Sequence, residues 1–532
     1  MLRNLLTIHL FGVLSVLELS VPALHADAIL PQAAPNVVFI LADDLGYGDL
    51  GCYGATKVKT PYIDRIAAEG RLFTDAHTAS AVCTPSRYAL LTGEYPFRAT
   101  DRGRDNLQGI WAPLNWYSPM LIPKGQTTIG SLFQDAGYAT SYFGKWHLGF
   151  GDEKNDWSMP LKSGPNDVGF DYYYGVPRVN SNPPYVYVED NMVVGHEDND
   201  PLVIIENKEH YFQATKTRQF PEEASVKSPN SFKGAKKAHA LFDDEKIGMH
   251  LTEKALSWID AHKDRPFCLI FATTQIHHPF TPAPRFQGTS EAGLYGDFIH
   301  EFDWMVGQIE ASLEKNGLSK NTLLIITSDN GGMWNLGGRM AEEKGHRING
   351  ELLGSKFSVW EGGHRVPFIA KWPGKIPPGT TSDQLICNVD MLETLGAAIG
   401  QKANSPDGKN MLEAFTGNPQ APLRDEVILA GFRKTHLSLR QGKWMFIPRQ
   451  GGGGFPNQVI KGSNGVGGMV ANMLAGKTNS DFGFGEFKRT APQAQLYDLS
   501  VDIAQTQNVY QENPKIAEAM AARLKELTVK QK

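Results

Sequence analysis

The sequence predicts an α/β fold: a large, mostly parallel central sheet sandwiched by helices, followed by a smaller α+β domain at the carboxyl end. Three observations carry that expectation. Four short apolar runs rich in Val, Ile and Phe, at 36–41, 138–143, 267–272 and 322–327, read as strands buried on both faces, the mark of a parallel sheet. Helical patterns lie between them, as in layered α/β proteins. A length of 532 residues suits one large domain and a smaller partner, at roughly 100–200 residues per domain.

From the amino end, Met1–Ala28 carries Arg3, the mostly apolar run Leu5–Val21 and then Ala26-Asp27-Ala28. That is the charged, apolar and small-residue order of a secretory signal. His9 and Glu18 interrupt the run, which falls short of the ~20 apolar residues of a membrane span. Residues 1–28 are therefore expected to be a signal peptide cleaved near Ala26 or Ala28, giving a secreted or periplasmic protein with no membrane span. Thr60 is placed to cap a helix with Pro61 at its first position, Ile63, Ile66 and Ala67 on one face and Gly70 closing it. A similar helix runs from Thr127 or Thr128 to Gly137. Phe150 to about Ala240, crowded with Asn, Asp, Pro and Lys, shows little periodicity and reads as loops around the mouth of a site. Residues near 404–424 form a linker, closing a large domain over 29–424. Within 425–532, Glu426–Ala430 and Lys443–Ile447 look like strands, Gly451–Gly454 and Gly462–Gly485 like a long flexible loop, and Ile516–Val529 like an amphipathic closing helix.

Composition narrows the function. Hydrophobic residues at 41% and charged residues at 20% describe a globular chain and exclude wholesale disorder. Lys+Arg 52 against Asp+Glu 57 leaves a net charge of −5, so no basic field is present to hold nucleic acid. Any bound anion must be held by a few local cations. Four cysteines exclude a disulfide-stapled miniprotein and a multi-thiolate metal cluster.

Each of the four runs ends in chemistry. The first stops at Asp43-Asp44, the second at Gly144-Lys145-Trp146-His147, the third at His277-His278-Pro279 and the fourth at Asp329-Asn330. Open α/β sheets bind ligands beyond the carboxyl ends of their strands, so the four clusters are expected to converge. Asp43, Asp44, Asp329 and Asn330 offer oxygen ligands alone, which suits calcium or magnesium better than zinc. In Cys83-Thr-Pro-Ser-Arg87, Pro85 suits a first helical position and Gly93 a closing one. Cys83 then stands at a helix amino end that favours anions, with Arg87 one turn on. Taken alone, this reads as an activated thiolate beside an anion pocket.

Cys83-Thr-Pro-Ser-Arg87 followed by Leu90-Leu-Thr-Gly93 resembles the signature of the sulfatase family. The likeness spans most of the chain. Asp43-Asp44-Leu-Gly, Gly144-Lys-Trp-His147, His277-His-Pro279, Ser328-Asp-Asn-Gly-Gly332, Gly354–Arg365 with Lys356, and the tail Leu496-Tyr-Asp-Leu499 fall in the family's order. Glu94, where a basic residue is common, and Ile503, where proline is frequent, depart from it without touching the chemistry.

The resemblance implies an alkaline phosphatase-like fold and hydrolysis of sulfate esters, on a sulfated carbohydrate or an aryl sulfate. It implies that Cys83 is oxidised to formylglycine by a formylglycine-generating enzyme. One calcium ion would be held by Asp43, Asp44, Asp329, Asn330 and residue 83. Arg87, Lys145 and Lys356 would bind the transferring sulfuryl oxygens, His277 would protonate the leaving alcohol, and Asp329 would accept a proton from the attacking hydroxyl. His147, placed two residues from Lys145 on one face of an extended segment, would help break down the sulfated intermediate. His278 is left as structural. Trp111, Trp116 and Tyr117 are minor candidates for stacking on a sugar, and His346-Arg347 for holding a second anionic group. His364-Arg365 is expected to support the strand Val366–Ala370. With Cys83 modified, Cys52, Cys268 and Cys387 leave at least one free thiol, Cys268 reading as a small buried hydrophobe. Two other readings stand beside this one: a phosphonate monoester or phosphodiester hydrolase of the wider superfamily, and a non-catalytic glycan-binding homologue.

Overall fold

The computed structural model describes residues 34–101, 107–115, 117–151, 155–205, 231–334, 338–454, 468–483 and 485–529. The expected signal peptide, Trp116 and part of the glycine-rich stretch at 462–485 lie outside the described residues. Ten strands form the central sheet: β1 (Asn36–Ala42), β2 (Arg71–Phe73), β3 (Ala139–Lys145), β4 (Tyr172–Val176), β5 (Val188–Glu189), β6 (Met192–Val193), β7 (Phe267–Ala272), β8 (Thr322–Ser328), β9 (Phe368–Lys371) and β10 (Thr380–Ser382). Their spatial order is β10-β2-β9-β8-β1-β7-β3-β4-β5-β6. The five central strands, β8, β1, β7, β3 and β4, are mutually parallel. β9 runs against both its neighbours, and β5 and β6 close the far edge as an antiparallel hairpin.

Alternation along β1 explains the sandwich. Successive strand side chains point to opposite faces. Val38 and Ile40 join the apolar cluster built from helices α1 (Pro61–Ala68), α4 (Ile247–His262) and α5 (Leu294–Lys315). Val37, Phe39 and Leu41 join the opposite cluster, from α2 (Cys83–Thr92), α3 (Ile129–Asp135) and α6 (Met391–Ala398). Both faces being covered, the central runs are largely apolar; an exception is β3, where buried Thr140 satisfies its hydroxyl by donating to Gly169 O at 2.8 Å. Each buried apolar side chain contributes about 1.5–3 kcal/mol.

A separate antiparallel sheet contains β11 (Glu426–Leu429), β12 (Ser438–Gln441), β13 (Trp444–Ile447) and β14 (Gln495–Asp498). Helix α7 (Pro514–Thr528) lays Ala517, Met520 and Leu524 into the same apolar cluster. That spacing is one helical face. No helix among the described residues is long and apolar enough to cross a membrane, and all four cysteines are free thiols, with Cys268 buried in β7.

Several local expectations need correction. Phe150 to Ala240 is not all loop, because Tyr172–Val176 is a fully paired strand of the central sheet. Its three tyrosines and glycine hide the usual aliphatic signal. Helix α2 begins at Cys83, with Pro85 as its third residue; proline is tolerated there because first-turn N–H groups have no helical acceptor. Gly70 does not close α1, which ends at Ala68. It is needed instead where β9 passes close by, since a Cβ at position 70 would meet the Ala370 carbonyl oxygen at 2.4 Å. Thr60 precedes α1 without capping it; its hydroxyl accepts from Gly51 N and donates to Asp64.

Candidate active site

Four adjacent parallel strands, β8, β1, β7 and β3, deliver their carboxyl-end residues to one buried cluster. Asp43 and Asp44 follow β1, and Asp44 turns the chain with a left-handed φ of 63°. Asp329 and Asn330 follow β8. Asp329 Oδ1 accepts from Asp44 N at 3.2 Å, and Asn330 Nδ2 donates to Asp44 Oδ1 at 2.8 Å. Lys145 ends β3 and donates to Asp43 Oδ2 at 2.7 Å. Lys356, arriving on the long segment after β8, reaches Asp44 Oδ1 at 2.6 Å. Arg87, one turn into α2, donates through Nε to Asp329 Oδ2 at 2.9 Å and through Nη1 to Lys145 O at 2.8 Å. Three carboxylates thus face three cations, one for one.

Cys83 stands at the start of α2, its Sγ 3.4 Å from His147 Nδ1. The ring does not get there by strand alternation as expected. His147 has a left-handed φ of 57°, so a tight turn after β3 swings it toward the thiol. The expectation of a thiolate is also overturned. Burial pushes the Cys83 pKa up, and the opposing pull of Lys145 and Lys356 does not cancel it.

The histidines are held neutral. Burial, helped by Lys145, Arg178, Arg87 and Lys356, puts His147 well below the ordinary imidazole range. Burial with Lys356, His278 and Lys145 does the same for His277, and His278 falls to about 3. His277 Nδ1 donates to the His278 carbonyl at 2.7 Å, which leaves Nε2 as its free nitrogen, 3.8 Å from Asp44 Oδ2. His278, expected to be merely structural, belongs to the same group of potential ligands as Asp44 and His277. Burial works against the charge on Lys356, and Asp44, Asp43 and Asp329 more than restore it. Asp329 is pushed up by burial and by Asp43 against the pull of three cations.

A hard cation fits this set. Asp43, Asp44 and Asp329 each offer an oxygen within 4.8 Å of the others. Asp43 Oδ1 and Asn330 Oδ1 are buried acceptors with no donor, which a metal ion would satisfy. The donors are all oxygens, the preference of calcium or magnesium. Cys83 lies outside that tight group.

A sulfatase family model matches residues 35–401. The chain belongs to the sulfatase family. Among curated relatives of this sulfatase, an N-acetylgalactosamine-6-O-sulfatase of Bacteroides thetaiotaomicron is 35% identical over 509 residues, covering 92% of each chain. An N-acetylgalactosamine-6-sulfatase of Rattus norvegicus is 33% identical, over 84% of this chain and 80% of its own. A solved 6S-sulfatase structure, described in work on glycosaminoglycan metabolism by Bacteroides thetaiotaomicron, superposes with a TM-score of 0.79 at 32% identity. It covers 94% of this chain and 100% of its own. The alkaline phosphatase-like fold and the assignment as a sulfuric ester hydrolase follow.

The peripheral candidates fare unevenly. Trp111 donates to Gln108 O and packs against the apolar cluster of the second sheet, while Tyr117 is exposed. His346 does not face a substrate. It is buried, with Nε2 2.7 Å from Asp49 Oδ1, because Asp49 needs a partner in the interior. Asp49 also accepts from Gly46 N and the Tyr295 hydroxyl, so it braces the turn that carries Asp43 and Asp44. Arg365 donates to Glu361, Thr74 O and Asp75, and His364 is buried with its ring nitrogens against His77 Nδ1 and the Val359 carbonyl. Sequence reasoning missed Arg178 and Asn180, just beyond the unrecognised β4. Asn180 Nδ2 donates to the carbonyls of His277 and Pro279 at 3.3 and 3.2 Å, fixing the turn that presents His277. Reading Tyr172–Val176 as a strand would have exposed both, by the same strand-end logic.

Proposed function

We propose that this sulfatase cleaves sulfate esters on carbohydrates, with the 6-sulfate of N-acetylgalactosamine as first candidate, through a formylglycine made from Cys83 and one bound calcium ion. The observation that carries the reading is Cys83 at the amino end of α2, 3.4 Å from His147 Nδ1, beside a cluster in which three cations converge. The names of two relatives matched over most of their length support the sugar. Export by the amino-terminal signal, and maturation by a formylglycine-generating enzyme, belong to the same proposal.

In the protein described here Cys83 Sγ stands where the formylglycine carbonyl would be. That group, when present and hydrated, supplies a hydroxyl to attack sulfur and a second hydroxyl whose loss of a proton lets sulfate depart. Asp43, Asp44, Asp329 and Asn330 would hold the calcium ion, which would supply positive charge near the sulfuryl oxygens. The chain's own residues do the rest. Arg87, Lys145 and Lys356 hold the charge of the transferring group, a role worth several kcal/mol when donors are fixed in advance. Asp329 accepts the proton of the attacking hydroxyl. As the bond from sulfur to the ester oxygen breaks, His277 Nε2 delivers a proton to the departing alcohol. His277 is neutral before substrate arrives, and the sulfate anion next to it favours its protonated form. His147, against residue 83, takes the proton whose removal releases sulfate.

A panel of sulfated mono- and oligosaccharides, aryl sulfates, aryl phosphates and phosphonate monoesters tests the reading. Sulfate release is expected fastest from 6-sulfated N-acetylgalactosamine. Faster turnover of a phosphorus ester would overturn it, and binding without turnover of any ester would favour the glycan-binding alternative.

A further inference from the structure

His77 and His364 are both buried and face each other outside the machinery assigned above. Their Nδ1 atoms are 3.0 Å apart. The ring centroids are 5.1 Å apart, so the rings meet edge to edge rather than face to face, each Nδ1 aimed at the other. Their Nε2 atoms are engaged elsewhere. His364 Nε2 lies 3.0 Å from the Val359 carbonyl oxygen, which can only accept, so that nitrogen carries a hydrogen. His77 Nε2 lies 2.8 Å from Asp75 Oδ1. Burial would raise the Asp75 carboxyl, but Arg365, His77 and Arg440 hold it well below the usual range. Asp75 is therefore an ionised acceptor, and His77 Nε2 carries a hydrogen too.

A neutral imidazole has a single N–H. With both Nε2 positions taken, two neutral rings would set two lone pairs against each other at 3.0 Å. One further proton turns that contact into an N–H···N hydrogen bond. The surroundings suit the charge it brings. Asp75 touches the His77 ring. Glu361, on the short helix Glu361–His364, has Oε1 3.9 Å from His364 Nε2 and without a hydrogen-bond partner among the described residues. Arg365 pairs with both carboxylates and Arg440 of β12 with Asp75. The Tyr47 phenol stands nearby, its hydroxyl donating to Thr74 O. Burial and the neighbouring His77 lower His364 to about 4 against the pull of Glu361, which leaves His77, the ring on Asp75, to carry the charge.

The backbone connects this pair to the candidate active site. Thr78 N donates to His364 O at 2.8 Å, Val366 N to Ala76 O at 3.0 Å and Phe357 N to Ala81 O at 2.7 Å. The segment from His77 to Cys83 therefore runs beside the segment from Lys356 to His364, tied near both ends. We propose that His77 and His364 share one proton, and that the resulting N–H···N bond makes them positioning residues that hold residue 83 in place relative to Lys356. This inference rests on the reading of Cys83 and Lys356 as parts of the sulfate site.

Nuclear magnetic resonance of the whole protein, its histidine rings labelled with nitrogen-15, tests the shared proton near pH 6, below the ordinary imidazole value. The two rings are assigned by the signals lost in His77→Asn and His364→Gln. Both ring nitrogens of His77 should be protonated and Nε2 alone on His364, with a scalar coupling between the two Nδ1 nuclei across the hydrogen bond. Two neutral rings, or no coupling, would overturn the proposal, as would elemental analysis showing a stoichiometric metal ion that His77→Asn removes. The positioning role is read from the matured enzyme. His77→Leu offers no donor and should lower kcat/KM for a sulfate ester roughly 10- to 100-fold, the scale of a reacting group displaced by about an ångström. His77→Asn keeps an N–H at the place of Nδ1 and should recover most of that loss. Wild-type activity in His77→Leu, or a His77→Asn variant just as impaired, would remove the role. If no sulfate ester is turned over, the catalytic reading falls; in that case, or if His77→Leu does not fold, the wild-type spectrum still decides the shared proton.

Discussion

The Lys145 ammonium lies 2.7 Å from Asp43 Oδ2, and neither side chain has any exposed surface. With Lys356 on Asp44 and Arg87 on Asp329, the pair belongs to a buried lattice in which each of the three carboxylates is balanced by a cation suited to sulfate. Such a lattice lets a dication and an anionic substrate enter as a further matched pair. It also makes each member costly to delete, since removing one partner strands a buried charge at about 3–5 kcal/mol.

Asp43→Asn keeps the shape and removes one ligand charge. Calcium added to chelator-treated wild-type protein should raise its melting temperature, because an ion that binds the native state stabilises it. In the variant that rise should largely vanish and turnover should drop at least 100-fold, by an order-of-magnitude expectation for lost transition-state electrostatics. Differential scanning calorimetry with and without calcium checks the first outcome, and an undiminished calcium response in the variant would remove Asp43 from the ligand set.

His277→Ala should depend on the leaving group. An alkyl or sugar alcohol needs a proton as it departs and an activated phenol does not, so the variant should lose roughly 10²–10⁴-fold on the former and far less on the latter. The free ring lies well below its ordinary pKa through burial and the nearby lysines, and a bound sulfate favours its protonated form. The descending limb of kcat/KM against pH should therefore begin at a lower pH than that of kcat. Equal losses on both ester classes would take the role from His277.

Asp49 and His346 make a buried pair at 2.7 Å that joins the turn bearing Asp43 and Asp44 to the segment leading to Lys356. His346→Ala should cost about 1–3 kcal/mol in urea unfolding, the cost of leaving a buried hydrogen-bonding group without its partner. Combining it with Asp49→Ala should cost clearly less than the sum of the two single changes. Simple additivity would mean the two residues act independently.

Burial in α5 raises the Glu301 pKa to about 8, despite the bond it accepts from Ala283 N at 2.9 Å. The folded value lies above the unfolded one, so the stability tied to its proton is complete below about pH 4.3 and is lost as pH rises toward 8. Glu301→Gln, which imitates the protonated group, should gain stability relative to wild type across that interval, reaching roughly 2–4 kcal/mol near pH 8. A gap that does not widen with pH would show that Glu301 is ionised in the fold.

The parallel core was legible because a strand covered on both faces is apolar at most positions. β1, β7 and β8 announce themselves in that way, and their polar ends give the ligand set. β4 was not legible, since its tyrosines fill the core as aromatic rings where aliphatic residues give the usual signal, and with it went Arg178 and Asn180. The thiolate expectation for Cys83 failed for another reason: sequence shows that a residue begins a helix, while burial, a tertiary quantity, decides its protonation. His346 belongs with it, because a histidine in a polar stretch gives no sign that Asp49, nearly three hundred positions away, will draw it inside.

Mass spectrometry of the peptide carrying position 83, taken from protein that is hydrolysing a sulfate ester, tests the proposed chemistry most directly. An aldehyde in place of the thiol is the expected result. An intact cysteine in fully active protein would contradict it.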